Sequence, residues 1–199
     1  RCLSDWSSDV CSSDLGLAAF LRQRGLEVTM LDNSVEHGGV NDDLANDTVY
    51  SNLLARCRAG EFLAILAAPP CSTFSVSRFF TAEDSKDGGP PPVRERDQIS
   101  GVDQLPAQHQ RELDRANLLV RRTTALITAA FDAGSQYIIE NPADRGDREQ
   151  EHIFLTQRHG PLWLMPEIIA LAEHTHGKHH TFAQCQFGAA YQKYTTVLA

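Results

Sequence analysis

Two stretches decide how this chain is read: Phe62-Leu63-Ala64-Ile65-Leu66-Ala67-Ala68-Pro69-Pro70-Cys71-Ser72-Thr73-Phe74-Ser75 and, further along, Tyr137-Ile138-Ile139-Glu140-Asn141-Pro142. Phe62 to Ala67 reads as a fully buried strand and Tyr137 to Ile139 as a second, each ending at turn-forming residues. The interval carries a long run of helical period, so the pattern is strand, crossover, strand, the unit of a parallel sheet. Such neighbours run about 4.8 Å apart, and open α/β sheets place ligands beyond the carboxyl ends of their strands. The expectation is a three-layer α/β fold with a mostly parallel sheet. Cys71 and Glu140 then face one crevice, a thiol beside a carboxylic acid.

Pro70-Cys71-Ser72-Thr73-Phe74-Ser75 and Glu140-Asn141-Pro142 together resemble the cytosine-C5 DNA methyltransferases, whose motifs read Pro-Cys-Gln-x-Phe-Ser and Glu-Asn-Val. The resemblance runs from about Leu17 to Ala199, with its specificity in these two motifs. It implies a Rossmann-like fold of the S-adenosylmethionine-dependent type. It implies that Cys71 attacks C6 of cytosine, that Glu140 hydrogen-bonds or protonates N3, and that S-adenosylmethionine donates a methyl group to C5. Pro70, Ser72, Phe74, Ser75, Asn141 and Arg78 fall on the substrate side by the same resemblance, and Pro69 on the cofactor side. Ser72 stands where the family has Gln and Pro142 where it has Val. The family's Gln-x-Arg-x-Arg motif has a faint echo at Gln192 and Lys193, which are the expected further substrate contacts. Cys185-Gln186-Phe187-Gly188 followed by Lys193-Tyr194-Thr195 also looks like divergent, phage-associated members.

The chemistry accounts for these residue types on its own. Cytosine C5 is a poor nucleophile, and covalent attack at C6 turns the ring enamine-like. A cysteine thiolate is strongly nucleophilic and leaves again readily. A buried carboxylic acid with a raised pKa can donate the matching proton. A base inside a duplex is unreachable, so it would have to be flipped out.

Asp5-Trp6-Ser7-Ser8-Asp9-Val10-Cys11-Ser12-Ser13-Asp14-Leu15 resembles the in-frame translation of a sequencing-library adapter. Residues 1–15 are therefore expected to be a scar and residues 16–199 a single, incomplete catalytic domain from environmental sequencing, with the native start missing. A Ser/Asp-rich disordered tail is the alternative. Leu17 to Gly25 reads as a short helix with a glycine stop, and Glu27-Val28-Thr29-Met30-Leu31-Asp32 as a strand ending in an acid. A ribose-binding acid lies about 20 residues after the Gly-rich turn of nucleotide-binding folds. Counting back from Asp32 falls in the adapter-like segment, so the cofactor loop is expected to be replaced and S-adenosylmethionine to bind poorly. Asp32 and Asn33 are the candidate ribose contacts and Asp43 a candidate near the adenine; a surface acid closing a strand explains Asp32 nearly as well.

The chain has 199 residues, 42% hydrophobic and 22% charged, as a globular protein does. No apolar run is long enough for a membrane span. The formal charge is −8, of which the adapter-like segment supplies Arg1 against Asp5, Asp9 and Asp14. An acidic chain suits a phosphate-binding partner poorly, although Arg94/Arg96, Arg111/Arg115 and Arg121/Arg122 form local basic groups. Apart from Cys2 and Cys11 there are Cys57, Cys71 and Cys185, without metal spacing. A reduced, cytoplasmic monomer is the simplest expectation.

Arg78 to Gln108 is the least regular region, and Asp87-Gly88-Gly89-Pro90-Pro91-Pro92 excludes helix and central strand. It reads as a lid over a flipped base, with Arg78 and Arg94 on phosphates, or as a solvated insertion. Leu113 to Phe131 has helical spacing and stops at Gly134, a scaffold helix. Glu173-His174-Thr175-His176-Gly177-Lys178-His179-His180 offers histidines but no zinc frame, and reads as a polar loop with Trp163 packed beneath.

The leading expectation is a DNA cytosine-C5 methyltransferase catalytic fragment, with RNA as the other possible substrate. A degenerate homologue that binds nucleic acid without turnover is the second. A cysteine hydrolase is the third, and it would need a histidine base that neither motif supplies in sequence.

Overall fold

The structure, a computed structural model, describes residues 17–31, 39–80, 90–189 and 192–199. The chain divides into two compact units at Val49/Tyr50.

In the first unit, helix α1 (Leu17–Gln23) ends as its sequence dictates. Gly25 adopts a φ of 81°, its N–H bonding Arg22 O at 2.9 Å while Leu26 N–H reaches Leu21 O at 3.2 Å. That is the paired 5→2 and 6→1 closure that only a glycine adopts without strain. The strand expected over Glu27 to Asp32 is not present in its described part: residues 26–31 form no strand. Asn46 Oδ1 accepts from Thr48 N–H at 2.9 Å and caps helix α2 (Asp47–Arg58), which runs on into the second unit.

The second unit is built on a sheet of β1 (Ala64–Ala67), β2 (Gln136–Pro142), β3 (His179–Ala183) and β4 (Tyr194–Leu198) in the order β1-β2-β4-β3. β1 and β2 are adjacent and parallel, Leu66 opposite Ile138, joined by a crossover that includes α3 (Ala107–Asp132). The mostly parallel expectation is corrected beyond that pair. β4 runs antiparallel to β2, with Glu140 opposite Val197 and Asn141 opposite Thr196, and β3 antiparallel to β4. A short connection over Gln184 to Lys193 makes β3 and β4 a hairpin, and hairpin strands must be antiparallel.

α3 buries Leu113, Ala116, Leu119, Val120, Thr123, Leu126, Ile127 and Ala130, the stripe its period predicts. With α4 (Pro166–Thr175) it covers one sheet face, where Phe74, Tyr137, Ile139, Leu162, Trp163, Met165, Ile168, Leu171 and Leu198 form the core. The fully buried strand expected at Phe62 to Ala67 is not found. Leu66 is 52% exposed and Ile138 41%, because side chains alternate along a strand and the described helices of this unit cover only the Tyr137/Ile139 face; Leu63, 78% exposed, precedes β1. The third layer is thus not assembled from the described residues of this unit.

Candidate active site

The two motifs meet at the carboxyl edge of the parallel pair. After β1 the chain turns through Pro69 and Pro70, and Cys71 sits at the start of a 3-10 turn, Ser72–Phe74, its carbonyl accepting from Phe74 N–H at 3.0 Å. The turn is anchored from below: Phe74 and Thr73 are buried, and the Arg94 guanidinium lies over the Phe74 ring at 4.1 Å while Arg94 Nε donates to Thr73 Oγ1. Ser75 then caps the next 3-10 turn, Val76–Phe79, its hydroxyl accepting from Ser77 N–H. Asn141, fully buried on β2, donates from Nδ2 to Pro69 O at 2.9 Å. The second motif therefore holds the first by a hydrogen bond between residues distant in sequence.

Glu140 precedes Asn141 and so points to the opposite face of the sheet. Its half-buried carboxylate interacts with the Thr195 hydroxyl, to which Gln184 Nε2 donates at 2.9 Å. Lys193, two residues before Thr195, lies on the same side and interacts with both Glu140 and Cys71. Carboxylate atom Oε1 of Glu140 is buried and has no hydrogen-bond partner. Burial raises the Glu140 carboxyl above its ordinary value, against the opposing pull of Lys193 and Thr195. Burial likewise raises the Cys71 thiol; Lys193 opposes, the Glu140 charge adds, and a backbone hydrogen bond opposes. Lys193 is lowered by burial, with Glu140 and Cys71 restoring part of its charge. A poorly solvated thiol, acid and amine thus share one edge of the sheet; burial is the leading influence on each, and their mutual charges modify it.

Several expected contacts are placed elsewhere. Arg78 is buried, its guanidinium donating to Ser72 O, Pro91 O and the Glu112 carboxylate, with Ser72 Oγ also on Glu112. Arg94, 1% exposed, donates to Ile99 O and Asn117 Oδ1 at 2.8 Å. The expectation of phosphate contacts is corrected for both: these guanidiniums hold the irregular chain after the motif together from inside. Phe74 is likewise a core residue rather than a surface for substrate. Pro70 and Ser72 are exposed. Gln192 is exposed and donates to Tyr194 Oη. Asp32 and Asn33 lie outside the described residues. Asp43 Oδ1 accepts from Ala45 N–H at 2.8 Å, a local turn, and Pro69 is buried with its carbonyl bonded to Asn141. Asp43 and Pro69, the described residues among those expected at the cofactor, are thus hydrogen-bonded within the chain.

Thr195 and Gln184 were not expected at the site; the strand period from Lys193 to Thr195 is the signal that could have found the first. His159 was also missed. It is fully buried, Nε2 donating to Phe74 O at 2.8 Å and Nδ1 accepting from Arg145 N–H at 3.0 Å. With both nitrogens engaged it braces the motif turn and is no base for Cys71. Of the C-terminal histidines, His174 pairs with Asp132 and His179 packs edge-on to Trp163. No group of three or more His, Cys, Asp or Glu among the described residues could hold a metal ion. A groove of about 750 Å³ lies between α2, α3 and α4, and neither Cys71, Glu140 nor Lys193 lines it. No helix among the described residues is long and apolar enough to cross a membrane.

No protein-family model, no curated protein and no solved structure matches the chain.

Proposed function

We propose that this chain is the cysteine-bearing part of a cytosine-C5 methyltransferase of the Rossmann-like type, acting on DNA, with Cys71 as nucleophile and Glu140 as acid. One observation carries the reading: the Asn141 amide donates to Pro69 O at 2.9 Å and so ties the turn bearing Cys71 to the strand bearing Glu140, at the carboxyl edge of adjacent parallel strands. Burial favours the protonated carboxyl at Glu140, and the unpartnered Oε1 is suited to an N3 or exocyclic N–H edge. In the proposed step the Cys71 sulfur bonds to C6, the C5=C6 electron pair moves towards C5, and N3 takes the proton of Glu140. S-adenosylmethionine is the methyl donor that the resemblance implies. Loss of the C5 proton to a solvent-derived base expels the sulfur and restores the thiolate, and return of the N3 proton to the Glu140 carboxylate restores the neutral aromatic ring.

The reading is tested on a form of the chain in which an S-adenosylmethionine-binding segment replaces residues 1–15, with duplex containing 5-fluorocytosine in the presence of S-adenosylmethionine. Fluorine cannot leave C5 as a cation, so the chain should remain covalently attached and migrate with the DNA in denaturing gels. Cys71→Ser should abolish the adduct, since a serine hydroxyl is far less ionised at neutral pH. Glu140→Gln should slow its formation by about 10²-fold or more. An adduct that survives Cys71→Ser overturns the assignment. Binding without any adduct favours the second reading, a nucleic-acid-binding homologue without turnover, to which the faint echo of Gln-x-Arg-x-Arg at Gln192 and Lys193 lends support.

A further inference from the structure

Cys71 has a problem the proposed chemistry does not solve. A thiol becomes a nucleophile by losing its proton, yet this one sits in a half-buried turn with a carboxylate as neighbour. Both influences favour the protonated form. The charged groups that bear on it come from two directions. Glu140 projects from β2, and Lys193 stands just ahead of β4. On the far side of Ser72 the Arg78 and Glu112 charges are tied to each other. Lys193 is thus the cation of the cluster that interacts with both the sulfur and the carboxylate.

Its placement is built into the fold. Lys193 O accepts from Gln184 N–H at 2.8 Å, which closes the β3–β4 hairpin at this residue. Gln184 also donates to Thr195, and Thr195 reaches Glu140. The antiparallel register places Thr195 opposite Pro142, on the Glu140 side of β2. The hairpin therefore carries a half-buried lysine to the end of the parallel pair.

We propose that Lys193 is a positioning residue whose ammonium charge sustains the thiolate of Cys71 beside Glu140. When the sulfur gives up its proton to solvent, the negative charge left behind is matched by the Lys193 ammonium. The inference refines the proposed reaction, but its chemistry concerns only these side chains.

The test is the pH profile of alkylation by iodoacetamide, read residue by residue by mass spectrometry on the 199-residue chain. The thiolate sulfur displaces iodide, so the rate reports the thiolate population. Cys185 is exposed and serves as the internal reference, and buried Cys57 is protected only while the chain is folded. Lys193→Met should slow Cys71 alkylation about tenfold near neutral pH, a displacement of roughly one pH unit in the profile. Lys193→Arg should restore the rate to within about threefold, because it retains the charge. Glu140→Gln should speed alkylation only above the pH at which Glu140 ionises, where a negative neighbour is removed, and leave it unchanged below. Equal rates in wild type and Lys193→Met, with Cys57 still protected, would overturn the proposal. So would Lys193→Arg as slow as Lys193→Met with Cys57 protected, which would assign the effect to shape. No nucleic acid or methyl donor takes part, so failure of the fluorocytosine adduct leaves this result intact, and the reverse also holds.

Discussion

Removing the Asn141 amide would leave the Pro69 carbonyl without its donor at a site from which water is excluded, and would open a small void beside it. Asn141→Ala should therefore cost about 1–3 kcal/mol by urea denaturation, and should speed Cys71 alkylation by loosening the turn; a loss below about 0.5 kcal/mol would contradict the tie between the motifs. Glu112 gives a pH signature. Burial by itself would raise its carboxyl, but the hydrogen bond and charge of Arg78, with Ser72 and His109, hold it below its ordinary 4.5. A carboxylate lowered in the folded state adds stability that is complete above 4.5 and is lost as pH falls through the folded value. Asp144 behaves alike from 3.8: burial opposes, and His159, the Gly146 N–H and Arg96 prevail. Glu112→Gln should thus weaken the chain at about pH 7, flatten its acid denaturation below 4.5, and converge with wild type at the lowest pH, as followed by urea midpoints across the range. A wild-type slope retained in the variant would assign the acid lability to other groups.

At the scale of elements, β1 and β2 have two unlike faces. Ile139 lies wholly inside, against Ile127, Ile168 and Leu198, whereas Leu66 and Ile138 stand exposed opposite one another. Ile139→Ala should cost about 2–5 kcal/mol, because the rigid α3 and α4 cannot close the cavity. Leu66→Lys should change stability by no more than about 0.5 kcal/mol, since its side chain is already in water. Chemical denaturation of the two variants decides the matter, and a large loss in Leu66→Lys would mean that something covers that face. The sequence signals at this scale were uneven. Helical period, with the glycine stops at Gly25 and Gly134, is written in neighbouring residues and was legible. A short run such as Phe62 to Ala67 is not informative in the same way. Its residues are apolar on both faces, so the run alone cannot reveal that one face is left uncovered.

For the whole molecule, charge bears most directly on the proposed partner. At −8, with Arg78 and Arg94 of its 18 Lys and Arg turned inward, the chain sets an excess of carboxylates against phosphates. Its affinity for duplex DNA should have a shallow salt dependence, a log–log slope no steeper than about −3, measured by fluorescence anisotropy between about 50 and 200 mM salt. A slope steeper than about −6 would reveal a basic surface that this reading lacks. The sequence by itself determined the β1–α3–β2 unit and the positions of Cys71 and Glu140 at the ends of its strands, because periodicity and turn chemistry are local properties. Only the tertiary structure decided that β4 would pair antiparallel with β2, bringing Lys193 and Thr195 to Glu140. It alone decided that Arg78 and Arg94 would be internal struts and that Asn141 would hold Pro69. These depend on which distant residues come to lie opposite one another. A side chain's type fixes the charge it carries, while packing fixes whether that charge meets water, a carboxylate or a thiol.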